Sequence, residues 1–151
     1  MKLNEQAKAI IETWRTGFVA TVSAEGAPNV SPKGTFVVVD EETIAFAEMR
    51  SPQTVANIAH QPEVEVSFVD VLSRAGVRFR GRARIIEPGE EFDVLMPLFR
   101  AHWDDDLCAM FNAIVVIPVD VLKPLRSPAY EAGASEGDLR ALWKTKIADM
   151  A

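Results

Sequence analysis

Apolar positions along the chain recur at two spacings, which separate predicted helices from predicted strands. Helical spacing near the N-terminus predicts an amphipathic first helix, which Gly17 ends and whose apolar positions are Leu3, Ala7, Ile10, Ile11 and Trp14. Further helices are predicted at Pro52–His60 and at Glu90–Ala101. A last helix begins at Ser135, where Asp138 completes a capping-box pattern, and its apolar stripe consists of Leu139, Leu142, Trp143, Ile147 and Met150.

Segments rich in β-branched or alternating apolar residues predict about seven strands. They are Phe18–Val22, Asn29–Lys33, Thr35–Val39, Thr43–Ala47, Val64–Val69, Val77–Ile86 and Ala113–Val119. His102–Asp106 is predicted as a polar connection and Leu122–Ala134 as one long irregular segment. The strands outnumber about three or four helices and mostly do not alternate with them. This favours one mainly β domain, an antiparallel barrel with peripheral helices, over a parallel βαβ fold.

Composition narrows the function classes. The 151 residues suit one domain, and the net charge of −6 argues against a general nucleic-acid binder, which needs a basic surface. No apolar run is long enough to span a bilayer, and the charged N-terminal segment lacks the pattern of a secretory signal. The single cysteine, Cys108, excludes an internal disulfide, so we expect a reducing, cytoplasmic location. One cysteine with His60 and His102 does not make a zinc ligand set.

The segment Met49–Val64 carries the most specific signal in the chain. Ser51 and Pro52 are typical of a helix N-cap and a first helical position, and a predicted strand runs into this cap. A helix start with free N–H groups, a hydroxyl and the adjacent Arg50 is suited to bind an anion. The first turns also carry Gln53, Thr54 and Asn57. Because most helix starts bind nothing, this interpretation depends on the neighbouring segments.

Four arginines alternate with small and apolar residues in the predicted strand Val77–Ile86: Arg78, Arg80, Arg82 and Arg84. Because side chains alternate between the two faces of a strand, all four are expected on one face. Either they pair with surface Asp and Glu or with a second subunit, or one or two of them face a bound phosphate, which the guanidinium fork suits. The sequence leaves both interpretations open.

A second polar row lies in the predicted strand Asn29–Lys33, where Asn29, Ser31 and Lys33 share one face. One interpretation is the exposed polar face of an edge strand, a position in which Pro32 is tolerated. The other is a short hydroxyl and a cation beside a ligand ring. The sequence does not decide between them.

Together, four segments resemble the pyridoxamine 5′-phosphate oxidase-like family of FMN-binding split β-barrels. FVATVSAEGAPNVSPKG resembles that family's first hairpin, and MRSPQTVANIAHQPEVEVSF resembles its flavin-phosphate segment and the following strand. VRFRGRARII is similar to its next strand, and IVVIPVDVLKPLRSPAYEAG to the tail of a subgroup of small members. The resemblance implies an antiparallel split β-barrel, a homodimer with FMN at the subunit interface, and oxidoreductase activity on a small-molecule substrate.

The resemblance also implies roles for individual residues. The flavin phosphate would be held by Arg50, Ser51, Gln53 and Thr54, with Asn57 bracing the turn. The isoalloxazine ring would lie along Asn29, Ser31 and Lys33, with Phe46 and Ala47 on the neighbouring strand. The partner subunit would close the site with Trp103 or with one of Arg78, Arg80 and Arg82.

The chain also departs from the family pattern. Many members carry a lysine where this chain has Gln53, and often a basic residue where it has Pro52. The C-terminal Trp and Arg pattern with which pyridoxamine phosphate oxidases hold their substrate is absent, which disfavours vitamin B6 oxidation. A flavin-dependent oxidoreductase is therefore the leading hypothesis. The alternatives are a non-catalytic binder of FMN, a deazaflavin or haem with the same fold, and a structural dimer whose arginines pair with acids of the partner.

Overall fold

A computed structural model describes all residues from Met1 to Ala151. The helices are α1 (Glu5–Trp14), α2 (Pro52–His60), α3 (Glu90–Arg100), α4 (Asp105–Cys108) and α5 (Glu136–Met150). The strands are β1 (Gly17–Val22), β2 (Pro28–Lys33), β3 (Val37–Val38), β4 (Thr43–Glu48), β5 (Glu63–Asp70), β6 (Ala75–Arg82), β7 (Arg84–Ile86) and β8 (Ala113–Arg126). A short 3-10 helix covers Pro128–Tyr130.

All strands join one antiparallel sheet in the order β2-β1-β5-β6-β8-β4-β3, and β7 pairs with β8 outside this path. The long strand β8 connects the two halves of the sheet. Its first residues, Ala113–Pro118, pair with β4 and in part with β7, while its later residues, Val119–Arg126, pair with β6. The predicted mainly β, antiparallel split barrel with peripheral helices is confirmed.

Two apolar clusters fill the molecule. The larger cluster contains α1 residues and the inward side chains of the sheet, and four phenylalanines stack through it: Phe36, Phe46, Phe68 and Phe79. The smaller cluster lies under α3 and α4 and centres on Phe99, Phe111 and Ile114. None of the helices combines the length and apolar character that a membrane crossing requires.

The first helix does not end at Gly17, as the spacing predicted. It ends at Trp14 and is capped by Arg15 in a left-handed conformation (φ 57°), and Gly17 is already the first residue of β1. A Cβ atom at Gly17 would lie 2.7 Å from the rings of Phe36 and Phe68. Gly17 is therefore required because the core closes tightly over the start of β1.

Several predicted strand limits are wrong for reasons of tertiary structure. The predicted strand Val77–Ile86 divides at Ala83, after a register shift between Arg80 and Gly81. A side chain at Gly81 would collide with the carbonyl oxygen of Pro118, so the bulge sits where two strands approach closely. The predicted strand Thr35–Val39 shrinks to β3.

Two predicted connections contain regular structure. The segment Leu122–Ala134 is not one irregular piece, because β8 continues to Arg126 and a 3-10 helix follows. Only β6 pairs with this half of β8, so its other edge needs no N–H donors and Pro124 is tolerated. The predicted polar connection His102–Asp106 contains the start of α4, which the side chain of Asp104 caps by accepting from the Leu107 N–H.

The last helix is only loosely packed on the rest of the chain. Ser135 accepts from the Asp138 N–H, as the predicted cap requires. Of the predicted apolar stripe, however, only Leu139 is buried, while Leu142, Ile147 and Met150 are exposed. Apart from Leu139, the apolar side chains of this stripe therefore do not pack into the core of the chain.

Candidate functional site

Helix α2 begins in a turn where Ser51 does not cap it in the predicted way. Ser51 has φ −141° and ψ 65°, and its side chain makes no capping hydrogen bond to the helix. Instead the Ser51 N–H and Oγ both donate to Oε1 of Glu48, at 2.7 and 3.1 Å. A carboxylate of the chain itself therefore lies beside the helix start, where the sequence predicted only a ligand anion.

Glu48 is the site residue that the sequence analysis missed. It is the last residue of β4, a strand whose other members are almost all buried, and it is itself 7% exposed. A charged residue that ends a fully apolar strand, directly before a helix cap, was the available signal. Buried carboxylates need donors, and the turn into α2 supplies two.

Lys33 faces Glu48 from the end of β2. Its side chain is buried, and its Nζ lies 5.8 Å from the ring centroid of Phe46. Burial lowers the pKa of Lys33 from its usual value, and the charge of Glu48 opposes this shift in part. The structure thus brings the end of β2, the end of β4 and the start of α2 to one place.

A chain of buried hydrogen bonds fixes α2 to the barrel. The Gln53 amide donates to Asn57 Oδ1 at 2.6 Å, and the Asn57 amide donates to Thr21 Oγ1 at 2.8 Å. Thr21 lies opposite Asn29 in the β1–β2 ladder. Asn57 and Thr54 are 2% and 1% exposed. Asn57 therefore holds the first turns of α2 against β1 and does not present its side chain to solvent.

The polar face of β2 is turned toward the barrel rather than toward solvent. Asn29 and Ser31 are half-buried and Lys33 is buried, while Val30 on the opposite face is 63% exposed. The interpretation as an exposed polar face is therefore wrong. Strand β2 is nevertheless an edge strand, which accommodates Pro32.

Phe46 and Ala47, which are predicted to lie beside the flavin ring, are buried in the core of the chain. Phe46 is fully buried against Phe36, and Ala47 is bonded through its N–H to Thr35 Oγ1 at 3.0 Å. Their strand, β4, is not a hydrogen-bonded neighbour of β2, although the Nζ atom of Lys33 lies 5.8 Å from the ring centroid of Phe46. The contact of these two residues with a flavin ring stays a prediction.

The arginine row pairs with acids of the same chain. Arg78 and Arg80 lie against Glu65, with N–O distances of 4.0 and 3.0 Å, and Arg82 lies 3.3 Å from Glu63. The register between β6 and β5 places these partners directly or diagonally opposite one another. Arg84 belongs to β7 and pairs instead with Glu91 of α3 at 2.9 Å. These pairs are exposed, so each contributes little to stability.

The other two predicted residues lie at the edges of this region. Arg50 is exposed beside the turn into α2. Trp103 follows α3 and is half-buried on the smaller apolar cluster, to which Ala47 and Met49 also belong. Its ring lies 5.9 Å from the guanidinium carbon of Arg15.

The candidate surface is open and is not an enclosed pocket. Thr21, which bonds to Asn57 of α2, lines a cleft of about 230 Å³ with Arg80. Two larger clefts lie elsewhere, one of about 370 Å³ between α3 and α4 and one of about 360 Å³ at the β5–β6 turn. The side-chain chemistry around α2 supports the candidate surface better than cleft size does. By helix geometry, the N–H groups of Gln53 and Thr54 have no acceptor within the helix and can bind an anion.

Comparisons with known proteins agree with this fold. The pyridoxamine 5′-phosphate oxidase family model matches residues 3–123, and no curated protein matches the chain. The structure is similar to that of HupZ from Group A Streptococcus, with 28% identity and a TM-score of 0.71 over 83% of this chain and 95% of HupZ.

More distant structures share the fold. An FMN-binding protein from Syntrophomonas wolfei has 16% identity and a TM-score of 0.68 over 82% of this chain and 86% of that protein. An F420 reductase has 21% identity and a TM-score of 0.63 over 80% of this chain and 98% of that protein. Since one family model matches well over half of its length, the chain belongs to the pyridoxamine 5′-phosphate oxidase family.

Proposed function

We propose that this chain is an FMN-dependent oxidoreductase that acts on a small molecule as a homodimer, with FMN bound at the subunit interface. One observation carries the proposal: the polar face of β2, the end of β4 and the start of α2 converge on a single surface. Family membership and the shared fold of an FMN-binding protein support a flavin.

The residues around α2 fit a flavin phosphate in part. Arg50 offers an exposed positive charge, and the first turn offers the Gln53 and Thr54 N–H groups. Glu48 accepts from the Ser51 N–H and hydroxyl in the free chain, so in the proposed complex the phosphate accepts from the Ser51 hydroxyl in place of Glu48. Because position 53 is glutamine and not lysine, N–H groups and hydroxyls contribute more to the proposed phosphate site than charged side chains do.

The β2 face fits the ring. Asn29 and Ser31 offer polar contacts along its edge, and Lys33, whose Nζ atom lies beside the ring of Phe46, offers a positive charge. When bound, FMN supplies transfer of a hydride or an electron pair. The chain positions the ring, and Lys33 stabilises negative charge at the ring edge that it faces.

A second subunit completes the open surface. The outer face of β1 and β2 exposes Phe18, Val22 and Val30, at 46, 40 and 63%. An apolar patch of this kind is typical of an interface. In the proposed dimer, this patch is covered and the site is closed by Trp103 or by one of Arg78, Arg80 and Arg82 from the second copy.

The first test identifies the cofactor that copurifies. We expect a yellow protein with flavin absorbance, and FMN released on denaturation and identified by mass spectrometry. In the emptied protein, the double variant Ser51→Ala/Thr54→Ala should bind FMN about 1–3 kcal/mol more weakly, the range for charge-assisted hydrogen bonds.

Thr145→Ala is the matched control, because its hydroxyl bonds only within α5. It should leave FMN affinity unchanged. A colourless protein that does not bind added FMN would overturn the proposed function. Unchanged affinity in the double variant would place the phosphate elsewhere.

A non-catalytic flavin or deazaflavin carrier is the second candidate function. The carboxylate of Glu48 beside the helix start favours the carrier, because its negative charge lowers the affinity for a dianionic phosphate. Reduction by NAD(P)H followed by rapid reoxidation with a specific acceptor supports the enzyme. Slow reoxidation that does not depend on the acceptor supports the carrier.

A further inference from the structure

We propose that the cleft between the β5–β6 turn and the end of β8 is a second ligand site, which binds a phosphate monoester through Arg74 and Arg126. The cleft has a volume of about 360 Å³, and these two arginines are its only charged lining residues. In a chain with a net charge of −6, a cleft lined by two cations and no carboxylate concentrates anions.

Each arginine is held on an aromatic ring. The guanidinium carbon of Arg74 lies 4.1 Å from the ring centroid of Trp143 in α5, and that of Arg126 lies 4.1 Å from the ring centroid of Tyr130. Tyr130 is itself fixed, because its hydroxyl donates to the carbonyl of Ser73. Stacking through the flat face orders a guanidinium and leaves its N–H edge free to bind oxygen atoms.

Neither arginine is neutralised by a carboxylate of the chain. The ion pairs of the molecule involve other arginines, namely Arg78, Arg80, Arg82, Arg84 and Arg140. Glu131 lines the adjoining cleft with Arg126 but forms no ion pair with it. Both guanidinium groups are therefore available to an anion from solution.

The turn between β5 and β6 fixes the backbone at Arg74. Arg74 has a φ of 59°, in the left-handed region where glycine is the usual residue. The turn is held by the Arg74 N–H, which donates to Asp70, and by the Ser127 N–H, which donates to the Arg74 carbonyl at 2.9 Å. These hydrogen bonds fix the point from which the Arg74 side chain extends into the cleft.

The chemistry of the cleft indicates the ligand class. Two guanidinium forks match the charge and the several oxygen atoms of a phosphate monoester. Val69, Leu125 and Pro128 line the same cleft and provide apolar contacts for the organic group of the ester.

The second site is separate from the start of α2, where the flavin phosphate is proposed to bind. The cleft lies at Ala75, the first residue of β6, while Arg80 and Arg82 lie toward the other end, near α2. At about 3.3 Å per residue, the two ends of this strand are about 20 Å apart. The inference therefore does not depend on the proposed flavin function.

Calorimetric titration with phenyl phosphate and with inorganic phosphate, at low ionic strength, tests the site. We expect the wild-type protein to bind phenyl phosphate more tightly than inorganic phosphate. Arg126→Ala and Arg74→Gly should each weaken phenyl phosphate binding by about 10- to 100-fold, the loss expected for charge-assisted hydrogen bonds. Arg74→Gly suits the left-handed backbone, and circular dichroism verifies its folding.

Arg100→Ala is the matched control, because it removes an exposed arginine of α3 that lies outside the cleft. It should bind phenyl phosphate as the wild type does. No binding to the wild type, unchanged affinity in both cleft variants, or an equal loss in Arg100→Ala would each overturn the inference. Loss of copurified flavin in Arg126→Ala would also overturn it, because the cleft would then belong to the flavin site, and the proposed function would stand.

Discussion

At the residue scale, Lys33 and Glu48 determine the electrostatics of the candidate site. Both residues are buried and each ends a strand. The sequence did not predict which residues they would contact. Their opposite charges reduce the cost of burying each other, although burial still lowers the pKa of Lys33. The site therefore holds a positive charge under the β2 face and a negative charge at the helix start.

The charge of Glu48 should weaken binding of a flavin phosphate at α2. Glu48→Gln removes this charge and keeps an oxygen that accepts from Ser51. We expect FMN affinity, measured by quenching of flavin fluorescence, to rise by about 1 kcal/mol. Glu41→Gln removes an exposed carboxylate that pairs with Lys2 and should have no effect. Equal affinities of wild type and Glu48→Gln would mean that the phosphate lies out of reach of this carboxylate.

At the element scale, the limits of α2 could be predicted from Pro52 and Pro62, because proline acts on the local backbone. Glu48 was missed because its burial depends on how β4 closes against β2, which no local pattern records. The partners of the arginine row depend on the β5–β6 register, which alternation within one strand does not reveal. Residues of the site were thus predictable as a group, while their contacts were not.

One ion pair joins two elements and should give an acid-sensitive contribution to stability. Asp70, at the end of β5, is buried and bonds to Arg140 of α5. Burial alone raises the pKa of Asp70, but hydrogen bonds from Ser73, Leu72 and Arg140 outweigh this and lower it. A carboxyl group with a lowered folded-state pKa stabilises the protein fully above its unfolded-state pKa. This contribution is lost as the pH falls through the folded-state pKa.

Asp70→Asn should therefore be less stable than the wild type at pH 7, by about 1–3 kcal/mol in urea denaturation. The difference should shrink below about pH 4, where the unfolded wild-type carboxyl takes up its proton. Asp149→Asn changes an exposed carboxyl of α5 and should follow the wild type at every pH. A deficit in Asp70→Asn that stays constant down to pH 2 would show that charge is not its cause.

At the scale of the whole molecule, the proposed dimer explains why apolar side chains are exposed on β1 and β2 while the polar face of β2 is turned inward. Val30→Asp places a charge in this patch and should yield a monomer that loses FMN, measured by light scattering and absorbance. Val94→Asp is the matched control, because Val94 is 72% exposed on α3, and it should remain dimeric. A dimeric, flavin-bound Val30→Asp would show that the second subunit covers a different face.

Strand β8 also constrains when the chain can fold. Its first half pairs with β4 and β7, and its second half pairs with β6. These three strands therefore lack one neighbour until β8 has been synthesised. Until residue 126 has left the ribosome, the nascent chain carries unpaired strand edges that invite association with other chains. We therefore expect folding during synthesis to be delayed until most of the polypeptide has been made. A protein whose strands pair in order of synthesis should need chaperones for a shorter time than this chain does.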